Sequence, residues 1–150
     1  MNTLKLTGRI DMVLKDMYGK VKDHRFIKNT VTTVGKAEAA MLLGALGTAF
    51  DYIAIGTSTP GATALGAEAS ASGSARRGGA DVTFSTTTTD TTGDTAQWVT
   101  TFTFTGSLGI TEEGIFNDAS AGTMLASQSF DVLNVANGDT LEITHQLKCA

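Results

Sequence analysis

The chain has 150 residues, 41% of them hydrophobic and only 17% charged, with a net charge of −4. That length predicts one domain around one core, the acidic balance argues against direct binding to a phosphate backbone, and the single cysteine, Cys149, excludes an internal disulfide. The charged share falls below the globular norm of about 25%, so Thr, Ser, Ala and Gly must cover much of the surface, which suits sheet faces and close contacts.

Residues 1–6 hold no long apolar run, so no signal peptide is expected. The longest apolar stretch, residues 39–46, contains Gly44 and is too short to span a bilayer. The expectation is a chain made in a cytoplasm, or carried out of it inside a particle, with no membrane partner. Residues 7–15 read as a strand, with Ile10, Met12 and Leu14 alternating with Arg9, Asp11 and Lys15. Residues 16–19, Asp-Met-Tyr-Gly, form a turn, and residues 20–28 return with Val21 and Ile27 on one parity. The charged faces of this hairpin predict an arm, residues 1–34, standing away from a body formed by residues 35–150. Its mixture of Lys, Arg and Asp does not read as a phosphate track.

Residues 29–34 are a β-branched connector. Residues 35–46 are the one convincing helix, rich in Ala and Leu, with Ala39, Leu42, Leu43 and Leu46 on one stripe and Gly47 at the expected cap. Residues 51–56 read as a short buried strand. Residues 57–79 are Gly, Ala, Ser and Thr around the only proline, Pro60. Too poor in large side chains to form a core, this segment is expected to be a loop laid across a partner, and deleting residues 60–74 is expected to leave a folded body while weakening assembly.

Strands then follow one another: 81–85, 97–105 with Trp98, Phe102 and Phe104 on one parity, 110–116, 124–133 and 141–147, where Leu141, Ile143 and Leu147 face inward. Turn signals separate them, at residues 86–94 and at Asn137-Gly138-Asp139. The pattern predicts a mainly β chain, a jelly-roll-like or β-sandwich domain with an N-terminal β-hairpin arm and one short helix.

No constellation for catalysis or metal binding emerges. Glu112 and Glu113 are neighbours in a strand and point to opposite faces, so they cannot act as a pair on one substrate; one is expected on the surface and one near an edge or turn. His145 lies on the inward parity and reads as a hydrogen-bonded histidine at a sheet or subunit boundary, and neither it nor His24 has a ligand partner at metal spacing. Asp90 and Asp94 sit in a segment that reads as a turn rather than a calcium loop, and Asp131 and Asp139 show no alternating acidic run. The glycines of residues 56–66 lack the lysine of a phosphate-binding loop. No enzyme and no cofactor are expected. The candidate partner-contact residues are the cations Arg9, Lys15, Lys22 and Arg25 of the hairpin with the pair Arg76 and Arg77, since arginine suits interface ion pairs.

Certain phrases carry a resemblance that covers nearly the whole chain. "DYIAIGTSTPGATALGAEAS" followed by "RR", "TFTFTGSLGITEEGIFNDASAGTMLASQSF", "NVANGDTLEIT" and the opening "GRIDMVLKDMYGKVKDHRFIKNTVTTVGK" resemble segments of tailed-phage virion structural proteins, and among them capsid decoration (cement) proteins. Ser127 stands where that pattern has arginine. The resemblance implies a protein that binds the outside of an icosahedral head and stabilises it, located in the virion, with the major capsid protein and copies of itself, as a homotrimer, for partners. It supplies no catalytic residues. A tail, baseplate or fibre-attachment protein with the same β body is the alternative it leaves open. A carbohydrate-binding β-sandwich would need aromatic platforms, and one Trp with two Tyr offers few.

Overall fold

Period-two alternation builds both sheets of the computed structural model, which describes residues 4–150. The elements run β1 (Leu6–Lys15), β2 (Val21–Lys28), β3 (Thr30–Val31), α1 (Thr33–Leu43), β4 (Tyr52–Gly56), β5 (Arg77–Gly78), a 3-10 turn (Gly79–Asp81), β6 (Val82–Thr87), β7 (Thr95–Thr103), β8 (Leu108–Phe116), β9 (Met124–Val135) and β10 (Thr140–Cys149). They form two five-stranded antiparallel sheets, β2-β1-β10-β7-β6 and β3-β9-β8-β4-β5. The inner faces share one apolar core. The first sheet contributes Ile10, Met12, Trp98, Phe102, Leu141 and Ile143, and the second Ile53, Ile55, Ile110, Ile115 and Leu133. The chain is therefore mainly β, and the architecture is a β-sandwich.

The hairpin does not stand away from this body. β1 pairs with β10 along its whole length, from Leu6 opposite Cys149 to Lys15 opposite Thr140. Ile10, Met12 and Leu14 are buried in the core. The charge that suggested an arm occupies the other parity, the outer face of a half-buried strand. Of the hairpin's two strands, only β2 lies at the sheet edge. Residues 1–3 of the expected arm, with part of the segment expected to lack a signal peptide, fall outside the described residues.

The helix starts and stops earlier than the expected 35–46. Thr32 caps it by accepting from the Gly35 N–H at 2.8 Å, and it ends at Gly44, with Ala45 in the left-handed region. Gly35 permits the close approach: a Cβ there would sit 2.3 Å from the Leu125 carbonyl oxygen. The expected apolar stripe is not buried as a unit. Leu42 packs on the core, while Leu43 and Leu46 are 81% and 78% exposed.

A break in β8 organises the rest. Its register against β9 shifts between Ile110 and Glu112, and such a bulge changes which parity faces inward. Ile110 lies in the main core before the shift, and Ile115 after it. The outer face of the second sheet then carries a smaller apolar cluster of Ala54, Phe116 and Met124, closed over by Tyr52 and Leu65. Leu65 belongs to the segment expected to reach for a partner, and through it that segment also seals its own sheet.

Candidate functional site

The loop of residues 57–76 is held by one carboxylate. Glu112, on β8, is fully buried. It accepts the backbone N–H groups of Ser58 at 3.2 Å, Gly66 at 2.8 Å and Ala67 at 2.8 Å. Three donors can satisfy an anion that would otherwise be costly to take from water. Gly56 makes room for it, since a Cβ there would meet Glu112 Oε1 at 2.3 Å. Backbone bonds from Thr57 N to Ala67 O and from Ala69 N to Ile55 O pin the loop on either side. Arg76 closes the far end, bonding both carboxylate oxygens of Glu68 at 2.9 and 2.6 Å, donating to the carbonyls of Asp118 and Ala121, and lying 3.9 Å from the centroid of Phe116. The loop is ordered from within the chain.

Glu113 points the opposite way, as strand neighbours must, yet it too is fully buried. Neither carboxylate is the surface group expected. The two carboxyl oxygens of Glu113 lie 3.0 and 3.1 Å from His145 Nδ1, within hydrogen-bond distance. The other ring nitrogen, Nε2, meets the side-chain amide of Asn29. This chain of Glu113, His145 and Asn29 joins the two sheets, β8 in one and β10 in the other. His145 lies on the central strand of its sheet and faces the second sheet, and its ring meets Trp98 in a T-shaped arrangement with centroids 6.4 Å apart.

The six predicted contact cations are not brought together, and most are engaged within the chain. Arg9 bonds Gln146 at 2.5 Å and lies over Phe26. Lys22 pairs with the buried Asp139. Arg25 pairs with Asp23 and donates to the carbonyls of Asp131 and Val132, so it caps the edge of β9 beyond its short pairing with β3, where Thr30 and Val31 meet Ser127 and Ala126. Arg76 is the loop clasp. Arg77 lies over Phe102 and reaches the Gly73 carbonyl at 3.3 Å and Asp81 at 3.8 Å. Lys15 is exposed and makes no ion pair among the described residues.

The turn between β6 and β7 is built on Asp94. Its carboxylate accepts the N–H groups of Thr89, Asp90 and Thr91 at 2.8–3.0 Å. The Thr91 and Thr89 backbone bonds hold its pKa below the usual 3.8. Among the described residues no three His, Cys, Asp or Glu side chains are grouped to hold a metal ion.

Two grooves among the described residues adjoin the loop and the helix. A Thr/Ser-rich groove of about 400 Å³ lies between the loop tip at Thr59–Pro60 and the β3–β9 edge at Thr30, Thr32 and Gln128. An apolar groove of about 390 Å³ runs between α1 and β6, lined by Leu6, Leu42, Phe50, Phe84, Trp98 and Leu147. Around it Leu4, Leu43 and Phe84 are more than half exposed. Residue patterning alone did not find Glu112 or Glu113 as buried anchors; the one available signal was an isoleucine two residues away on one side of each, Ile110 for Glu112 and Ile115 for Glu113. Comparison with family models, with curated proteins and with solved structures found no match.

Proposed function

We propose that the chain is a structural virion protein, a decoration or cement protein that binds the outside of an icosahedral phage head and stabilises it. The observation that carries this reading is the convergence of the segments that bear the resemblance. The "YIAIG" strand lies antiparallel to "EEGIF", Tyr52 opposite Phe116 and Gly56 opposite Glu112. The "TSTPGATALGAEAS" loop is anchored on that same Glu112. The arginine that follows binds Glu68 within the loop and the Asp118 and Ala121 carbonyls of the "NDASAG" turn. Segments far apart in the chain thus make one built unit that holds a surface loop in a fixed shape.

A fixed loop suits repeated docking, because its ordering entropy, on the order of 1 kcal/mol per residue, is already met within the fold. The loop tip and the adjoining β3–β9 groove are the surface offered to the major capsid protein. Many weak copies of such a contact reinforce a shell by avidity. The test is addition of the purified chain to heads that lack it, followed by co-sedimentation and heat challenge. Saturable binding over the head surface with greater heat resistance supports the reading. Binding confined to tails would favour the tail or baseplate alternative, and absence of binding to either would remove the virion assignment.

A further inference from the structure

The four outer strands of the two sheets are treated differently. β2 carries Lys22, Asp23, His24, Arg25 and Lys28 along its length, the usual charged protection against stray pairing. β3 and β5 are two residues each, and the exposed run of β9 beyond β3 has its carbonyls capped by Arg25. β6 alone has no such device. Its six residues, Val-Thr-Phe-Ser-Thr-Thr, include no charge and no proline. It pairs with β7 on one side, from Val82 opposite Thr100 to Thr87 opposite Thr95, and it ends the sheet on the other. Phe84 in its middle is 57% exposed, stacked at a tilt on Trp98 with ring centroids 5.3 Å apart.

We propose that β6 is a self-association edge: two copies of this chain pair β6 against β6 antiparallel about a twofold axis near Phe84, joining two five-stranded sheets into one of ten. The occupant follows from the strand itself. An uncharged strand set antiparallel to its own copy brings no like charges face to face, and a self-complementary edge is what an isologous contact requires. The dyad places Phe84 beside its mate on one face, an aromatic cross-strand pair of the kind that stabilises sheets. It also covers the mouth of the apolar groove beside β6. The inference stands on the edge geometry alone and is independent of the virion reading. It makes pairs, where the resemblance implies threefold groups.

The test is the mass of the full chain in solution by sedimentation equilibrium, with hydrogen exchange on β6. The expected mass is two copies, with protection along the whole of β6. Thr83→Lys combined with Ser85→Lys puts like charges opposite across the dyad, on side chains of the outer face. That variant is expected to weaken pairing at least tenfold while keeping its thermal melt, and mixing it with the Thr83→Glu, Ser85→Glu variant is expected to restore the pair. A monomeric or trimeric wild type overturns the proposal. So does a dimer indifferent to the lysines, or one in which alternate β6 amides exchange as a free edge would. If the lysine variant does not fold, the exchange pattern of the wild type still decides.

Discussion

Replacing Glu112 by glutamine changes one atom and should loosen the whole loop. The carboxylate uses Oε1 for Ser58 and Ala67 and Oε2 for Gly66. A glutamine keeps the carbonyl on the two-donor side and turns its NH2 toward the Gly66 N–H, donor against donor. One charge-assisted bond is lost, worth about 1.5–3 kcal/mol, and a buried donor is left unpaired at a further 1–3 kcal/mol or so, partly relieved when the loop lifts toward water. The expected net loss is on the order of 3 kcal/mol. Urea unfolding gives the global figure. Hydrogen exchange gives the location: the Ser58, Gly66 and Ala67 amides should lose more protection than β1 and β10, whose pairing is untouched. A loss below about 0.5 kcal/mol, the range of an ordinary surface substitution, with unchanged protection at those three amides would refute the account of the loop.

Other outcomes follow from the same geometry. Phe102→Ala, at a fully buried side chain, should cost about 3–5 kcal/mol by chemical denaturation, and a loss under about 1 kcal/mol would show that this face is not core. Glu113→Ala leaves the buried His145 ring without its hydrogen-bond partner, and should cost about 1–3 kcal/mol, whereas the Glu113→Ala, His145→Ala double variant should cost clearly less than the sum of the singles. Deleting residues 60–74 removes the Gly66 and Ala67 donors and uncovers Phe116 and Met124, so the folded body expected from composition should not survive; a deletion variant with an unchanged melt would contradict the sealing role. Asp94 has a folded pKa below 3.8, so its stabilisation of the β6–β7 turn is complete above pH 3.8 and is lost as pH falls through the lower folded value; an NMR titration of the carboxyl with a midpoint at or above 3.8 would contradict this.

The strands were legible because alternation survives in single sequences. Ile10, Met12 and Leu14, or Leu141, Ile143 and Leu147, announce one buried face, and the structure buries them. Detachment of the hairpin was the misreading, because charge on the opposite parity describes an outer face as well as it describes an arm. The loop was misread for a different reason. Its order comes from a carboxylate on β8, some 45–54 positions later in the chain, and local composition cannot report a contact of that range. The fate of Glu112 and Glu113 depended on the β8 bulge, which exchanges the inward and outward parities between Ile110 and Glu112. Arg76 and Arg25 were legible as special and illegible in role, since both bind backbone carbonyls that a sequence does not locate.

The most direct measurement of the central claim is the number and position of copies of this chain in purified phage particles, by quantitative mass spectrometry with subunit-resolution imaging. A head decoration protein predicts on the order of hundreds of copies, spread over the outer head surface with the loop around Pro60 against the shell, as repetition of one modest contact requires. A handful of copies at the tail, or none in the particle, would contradict it.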